Sequence, residues 1–135
     1  MTGVQTCALP ILCVRVDGAD RRAAGLVAAK GRLYAGSNVI APLADLSEPI
    51  LDFLLLQHSG RLAVLRYLGA LLLGRIARRR DIVFLRAREA LVSGSGSAPM
   101  QADGEIVGRT PLRIGIAAQP LQLVRLQPRP RVSPG

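Results

Sequence analysis

Only one stretch of this chain, Arg61 to Arg80, carries apolar residues at helical spacing; elsewhere they fall into short runs and alternations cut by Gly, Pro, Asp and Ser. Leu62, Leu65, Leu68, Leu72 and Ile76 recur at intervals of three and four residues, which puts them on one face of a helix. Short apolar segments bounded by turn residues read instead as strands, whose side chains alternate between two faces. Many short strands and one amphipathic helix predict a mainly β fold, a β-sandwich. There is no internal repeat.

Leu12 to Val16 alternates, Asp17-Gly18 supplies a turn and Ala24 to Ala29 is apolar, a pattern that predicts a hairpin. Val39 to Pro42 reads as a short strand stopped by proline, followed by a loop carrying Asp45, Ser47, Glu48 and Pro49. Ile50 to Gln57 is expected to be a buried strand, although Asp52 interrupts its apolar run. After the helix, whose last turns carry Arg75, Arg78, Arg79 and Arg80, strands are expected at Asp81 to Leu85, Arg88 to Val92, Leu112 to Ala117 and Leu121 to Leu126. Cations there would complement the negative end of the helix dipole. The Ser93 to Ser97 segment reads as a flexible loop, and the proline-rich tail over 128–135 as disordered. The first eleven residues resemble a translated sequencing adapter, so the domain is expected over 12–127 and the true start upstream.

A length of 135 residues suits one domain with a substantial core. With aromatics at 3% and no Trp, that core must be built from Leu, Val, Ile and Ala, and few rings are left to stack on bases. The net charge of +9 is almost all arginine, Lys30 being the single lysine, and it favours anionic partners: nucleic acid, an anionic bilayer surface or a phosphorylated substrate. Cys7 and Cys13 are too few for a disulfide framework and point to a reducing compartment. His58 has no companion ligands for zinc. The apolar runs at Ile50 to Leu56 and Tyr67 to Leu73 fall short of the ~20 residues a membrane-spanning helix needs.

Chemistry is concentrated in Met100 to Leu112, where Asp103 and Glu105 flank Gly104 between strand-like segments. An Asp-Gly pair in that setting is a hairpin signal. On one continuous strand the two acids would share a face; with a turn at Gly104 they would flank its tip. Either arrangement keeps two carboxylates near each other, one able to stay ionised beside a cation while the other accepts a proton. Asp45 and Glu48, three apart in the loop after Pro42, could hold Mg²⁺ or simply shape a polar turn. No phosphate-cradling glycine loop is present, since Gly94 and Gly96 lie among serines with no lysine following.

Tyr34-Ala35-Gly36, Ile40-Ala41-Pro42, Asp45 to Asp52, Gln101 to Glu105, Thr110-Pro111-Leu112 and Leu121 to Leu126, taken in order, resemble the C-terminal half of the bacterial diacylglycerol kinases, relatives of the sphingosine kinases. The resemblance implies a two-domain lipid kinase whose N-terminal domain carries a Gly-Gly-Asp-Gly-Thr nucleotide loop. Only the C-terminal β-sandwich domain would be present here. It implies transfer of the γ-phosphoryl of ATP, with Mg²⁺, to the hydroxyl of diacylglycerol or a related membrane lipid. Glu105 would be the proton acceptor and Asp103 would support the nucleotide-metal end. A structural Mg²⁺ site would fall on Asp45, Glu48 and, through its carbonyl, Ile50. There the usual Asp-Asp-Gly stands as Ser47-Glu48-Pro49, with a fixed-φ proline in place of a permissive glycine.

The same resemblance implies a cytoplasmic protein, peripheral at the inner membrane, inactive without its nucleotide domain, with no nucleic-acid partner and with homodimerisation left open. Two readings from other classes stand beside it. One is a basic nucleic-acid-binding module using Arg75 to Arg88, marked by affinity that falls steeply with salt. The other is a non-catalytic membrane-surface module, marked by vesicle binding without substrate.

Overall fold

The computed structural model describes residues 12–34, 36–94 and 96–119. The expectations for 1–11, for Leu121 to Leu126 and for the tail lie outside these residues. In chain order the strands are β1 (Leu12–Val16), β2 (Ala19–Ala23), β3 (Gly25–Ala29), β4 (Leu33–Tyr34), β5 (Asn38–Val39) and β6 (Leu51–Leu56). The helix α1 (Arg61–Leu72) and a 3₁₀ turn (Ile76–Arg78) follow, then β7 (Ile82–Ala87), β8 (Glu89–Gly94), β9 (Pro99–Ala102), β10 (Glu105–Arg109) and β11 (Leu112–Gly115).

Two antiparallel sheets form the sandwich, one ordered β11-β8-β1-β2 and the other β3-β6-β7. Leu12, Val14 and Val16 of β1 and Ala90 and Val92 of β8 meet Leu51, Phe53 and Leu55 of β6 in one apolar core. The opposite face of β6 presents Leu54 to a second core made by Ile40, Ala41, Ala63, Tyr67, Leu71 and Ile76. Phe53, Leu54 and Leu55 are 0%, 1% and 0% exposed, so β6 is covered on both sides by the alternation natural to a strand. The fold therefore has three layers: sheet, sheet, and then α1 with the loop that precedes β6.

Three local expectations are corrected. The hairpin partner of β1 is β2, running Ala19–Ala23, not the apolar segment 24–29, which crosses into the other sheet as β3. A two-residue turn pairs the strand immediately after it, and β2 can be charged because it is a sheet edge exposed at Ala19 to Arg22.

The helix is also shorter than the periodicity predicts. It stops at Leu72, where Gly74 takes φ +67° and Arg75 N–H returns to the Ala70 carbonyl at 2.7 Å. Arg75, Arg78, Arg79 and Arg80 thus lie beyond the helix, and no basic residue sits in its last turn.

The third correction concerns the helix face. Ala63, Tyr67, Ala70 and Leu71 are buried, whereas Leu62, Leu65, Leu68 and Leu72 are exposed, Leu62 at 78%. Ala63, Tyr67 and Leu71 join Leu54 of β6 in one apolar cluster, and the tyrosine hydroxyl is satisfied. His58 N–H donates to that hydroxyl at 3.2 Å, and the hydroxyl donates to the Asp81 carbonyl at 3.4 Å.

Candidate functional site

The Asp103-Gly104 turn joins β9 to β10 in a two-stranded ribbon that stands apart from both main sheets. Asp103 has φ 51° and Gly104 φ 88°, the two positive values that a tight hairpin of this kind needs. Glu105, the first residue of β10, pairs with Ala102. The acids therefore flank the tip. Both are exposed, and among the described residues neither carboxylate has an ion pair or a side-chain hydrogen bond. Both carboxylates are open to an approaching ligand.

The root of this ribbon is pinned by Thr110, which is 9% exposed. Its backbone N–H donates to the Ala98 carbonyl at 2.9 Å, and its hydroxyl accepts from Ala98 N–H at 2.9 Å while donating to the Gly96 carbonyl at 3.1 Å. Every hydrogen-bonding group of Thr110 that faces the root is in use. Higher up, the pairing shifts between Ile106 and Gly108, a bulge at Val107 that twists the ribbon on its way to the tip.

A second cluster surrounds the loop before β6. Asp45 Oδ1 accepts from Ser47 N–H at 2.8 Å and from the Ser47 hydroxyl at 2.6 Å, which turns that carboxylate back onto its own loop and holds it below the usual carboxylate pKa range. Glu48 Oε2 accepts from Arg86 Nη2 at 2.6 Å. Arg86 Nε also lies 3.2 Å from Oδ1 of Asp52, which is 4% exposed and whose Oδ2 has no partner. Lys30 Nζ donates to the Asp45 carbonyl at 2.7 Å and to the Glu48 carbonyl.

This arrangement does not fit a resident Mg²⁺ on Asp45, Glu48 and Ile50. Mg²⁺ demands near-octahedral oxygen at about 2.0–2.1 Å, and here the loop's carboxylates and two of its carbonyls are engaged by Ser47, Arg86 and Lys30. Among the described residues there is no group of three or more His, Cys, Asp or Glu placed to hold a metal. Lys30, just after β3, and Arg86, in β7, leave no signal beside Asp45 and Glu48 in the chain, because sheet pairing and not sequence proximity brings them to this loop. Asp52 left a signal, a charge inside an otherwise apolar run.

The third feature is a basic cleft of about 690 Å³ beside the exposed ridge of α1, lined by Arg66, Leu73, Arg75, Arg78 and Arg80 among others. Arg79 is tied in a two-point bond to Asp81, at 2.7 and 2.6 Å, and stacks over the Tyr67 ring with 5.5 Å to its centroid. That bond holds the Asp81 carboxyl down at about 2. Arg66, Arg75, Arg78 and Arg80 have no ion pair among the described residues, so positive charge accumulates next to the leucines.

The family model described as the YegS C-terminal NAD kinase beta sandwich-like domain matches residues 5–125, beginning inside the segment read as adapter. Putative lipid kinase YtlR of Bacillus subtilis (strain 168) is 27% identical over 90 residues, which are 67% of this chain and 29% of that protein. Two solved structures of a putative diacylglycerol kinase from Bacillus anthracis str. Sterne have TM-scores of 0.63 and 0.65 at 20% identity. Each covers 84% of this chain and 40% or 39% of its own. The chain thus spans well under half the length of these relatives, and the structural likeness shows a shared sandwich fold.

Proposed function

This chain belongs to the YegS C-terminal NAD kinase beta sandwich-like domain family, and on that footing we propose that it is the C-terminal part of an ATP-dependent lipid kinase, inactive alone, which phosphorylates the hydroxyl of diacylglycerol or a related membrane lipid. The observation that carries the reading is the exposed Glu105, without an ion pair or side-chain hydrogen bond among the described residues, beside the tip of a ribbon pinned at its root by Thr110. A carboxylate bonded inside the fold would be spent; this one is available to a substrate.

In the proposed reaction Glu105 accepts the proton of the lipid hydroxyl as its oxygen bonds to the γ-phosphorus of ATP and the bond to the β-phosphate oxygen breaks, releasing ADP. Asp103, exposed on the other side of Gly104, would serve the nucleotide end and hold its Mg²⁺. That ion supplies charge neutralisation for the transferring phosphoryl group. Binding of the phosphates themselves belongs to the nucleotide domain, since this chain has no loop for them.

The ridge of Leu62, Leu65, Leu68 and Leu72 beside a cleft of arginines supports attachment to the cytoplasmic face of the inner membrane, because it joins apolar surface to charge of the sign that attracts anionic lipid. None of the described helices is long and apolar enough to cross a membrane. The test is Glu105→Gln in the full-length parent protein. Diacylglycerol phosphorylation is abolished while the melting temperature stays unchanged; undiminished turnover overturns the reading.

A further inference from the structure

We propose that Lys30 is the cation around which the loop before β6 is built, so that an internal ammonium group, and no divalent ion, holds this part of the fold. Lys30 follows directly on β3, and its Nζ donates to two carbonyls, those of Asp45 and Glu48, which converge on it from three residues apart. Convergent backbone oxygens are what a cation cradle presents. A hard divalent ion would ask for about six of them in fixed geometry, whereas an ammonium, a compact charge with three donors, is served by two and by water.

The loop's carboxylates are arranged consistently with this. Asp45 is folded back on Ser47, and Glu48 is turned to Arg86. Arg86 of β7 meets the carboxylates of Glu48 and the buried Asp52, while Lys30, just after β3, meets the backbone carbonyls of Asp45 and Glu48, so a cation reaches this region from each side of β6 in the β3-β6-β7 sheet. The central strand thus has its entry braced from both neighbours.

The identity of the residue carries the same message. Apart from His58, every other basic side chain in the protein is an arginine, and the single lysine stands where a point charge on a flexible stem reaches two carbonyl oxygens. A planar guanidinium spreads its donors over a fork and suits carboxylates, which is how Arg86 of β7 meets Glu48 and Asp52.

The test compares melting temperatures of the 135-residue chain in EDTA and in millimolar Mg²⁺, for the parent sequence and for Lys30→Met, which keeps the stem and removes the charge. The parent sequence melts at one temperature in both solutions, since an ion that binds only the folded state would raise it. Lys30→Met melts lower by about 5 °C, the shift expected for loss of interactions worth on the order of 1 kcal/mol in a domain of this size. Should Lys30→Met fail to fold, Lys30→Gln, which keeps two neutral donors, carries the same comparison. A rise in the parent's melting temperature with Mg²⁺, or a Lys30 variant that melts with the parent, overturns the proposal. The readout is stability alone, so it stands or falls separately from lipid phosphorylation.

Discussion

Asp17 and Asp103 share a backbone φ of 51°, and each precedes a glycine at positive φ, Gly18 at 79° and Gly104 at 88°. The two turns are built alike, yet their settings differ. Beside the first, Arg15 and Asp20 form an ion pair at 2.6 Å across strands of the four-stranded sheet. The second caps an isolated ribbon, and its acids are unpaired among the described residues.

Gly18→Ala and Gly104→Ala are expected to cost similar stability, about 1–2 kcal/mol each, because a Cβ meets no atom within 4 Å at either site and only the left-handed backbone opposes it. Urea denaturation measures that cost. In the full-length parent, only Gly104→Ala slows phosphoryl transfer, because only that turn carries Glu105.

The face of α1 gives a second contrast. Leu71→Ala removes a buried side chain and is expected to cost about 2–5 kcal/mol. Leu65→Ala, on the exposed ridge, changes stability by no more than about 0.5 kcal/mol. Leu65→Asp is expected to weaken sedimentation with anionic vesicles while the melting temperature holds.

Acid stability follows from Arg79 and Asp81. The Asp81 carboxyl lies at about 2, below its ordinary value of 3.8, because Arg79 binds its ionised form. A lowered carboxylate pKa stabilises the fold fully above the unfolded-state value and loses that effect as pH falls through the folded one. The stability difference between the parent chain and Asp81→Asn is therefore constant above about pH 4 and shrinks between pH 4 and pH 2. Denaturant melts across that range check it.

Arg86→Met is expected to destabilise by about 3 kcal/mol, since it strands the buried charge of Asp52 as well as releasing Glu48. Adding Asp52→Asn recovers part of the loss, so the double variant is less damaged than the sum of the singles. A double-mutant cycle measures this coupling.

What could be read from the chain and what could not divide on physical grounds. β1, β6 and β7 were legible because burial on one or both faces leaves an apolar pattern of period two or a continuous run. The Asp-Gly turns were legible because positive φ restricts residue choice. β2 was not, since Asp20, Arg21 and Arg22 on an exposed edge carry no apolar signal. The orientation of α1 was misread for the opposite reason: leucine is the stronger signal, yet alanine and tyrosine fitted the space beside Leu54. At the candidate site the acids Asp103 and Glu105 stood out in the chain. The cations around Asp45 and Glu48 did not, because strand pairing, which brings Lys30 and Arg86 there, is a long-range event.

The pinning of Thr110 bears on how the proton acceptor would work. A ribbon fastened at its base, with its tip exposed among the described residues, would act as a lever: small rotations about Thr110 would be magnified at Glu105, five residues away. Such an arm stores little geometry of its own. In the proposed kinase its aim would be set at the moment of encounter by the surface closing over it, so the rate of the chemistry would report on domain closure as much as on proton transfer itself.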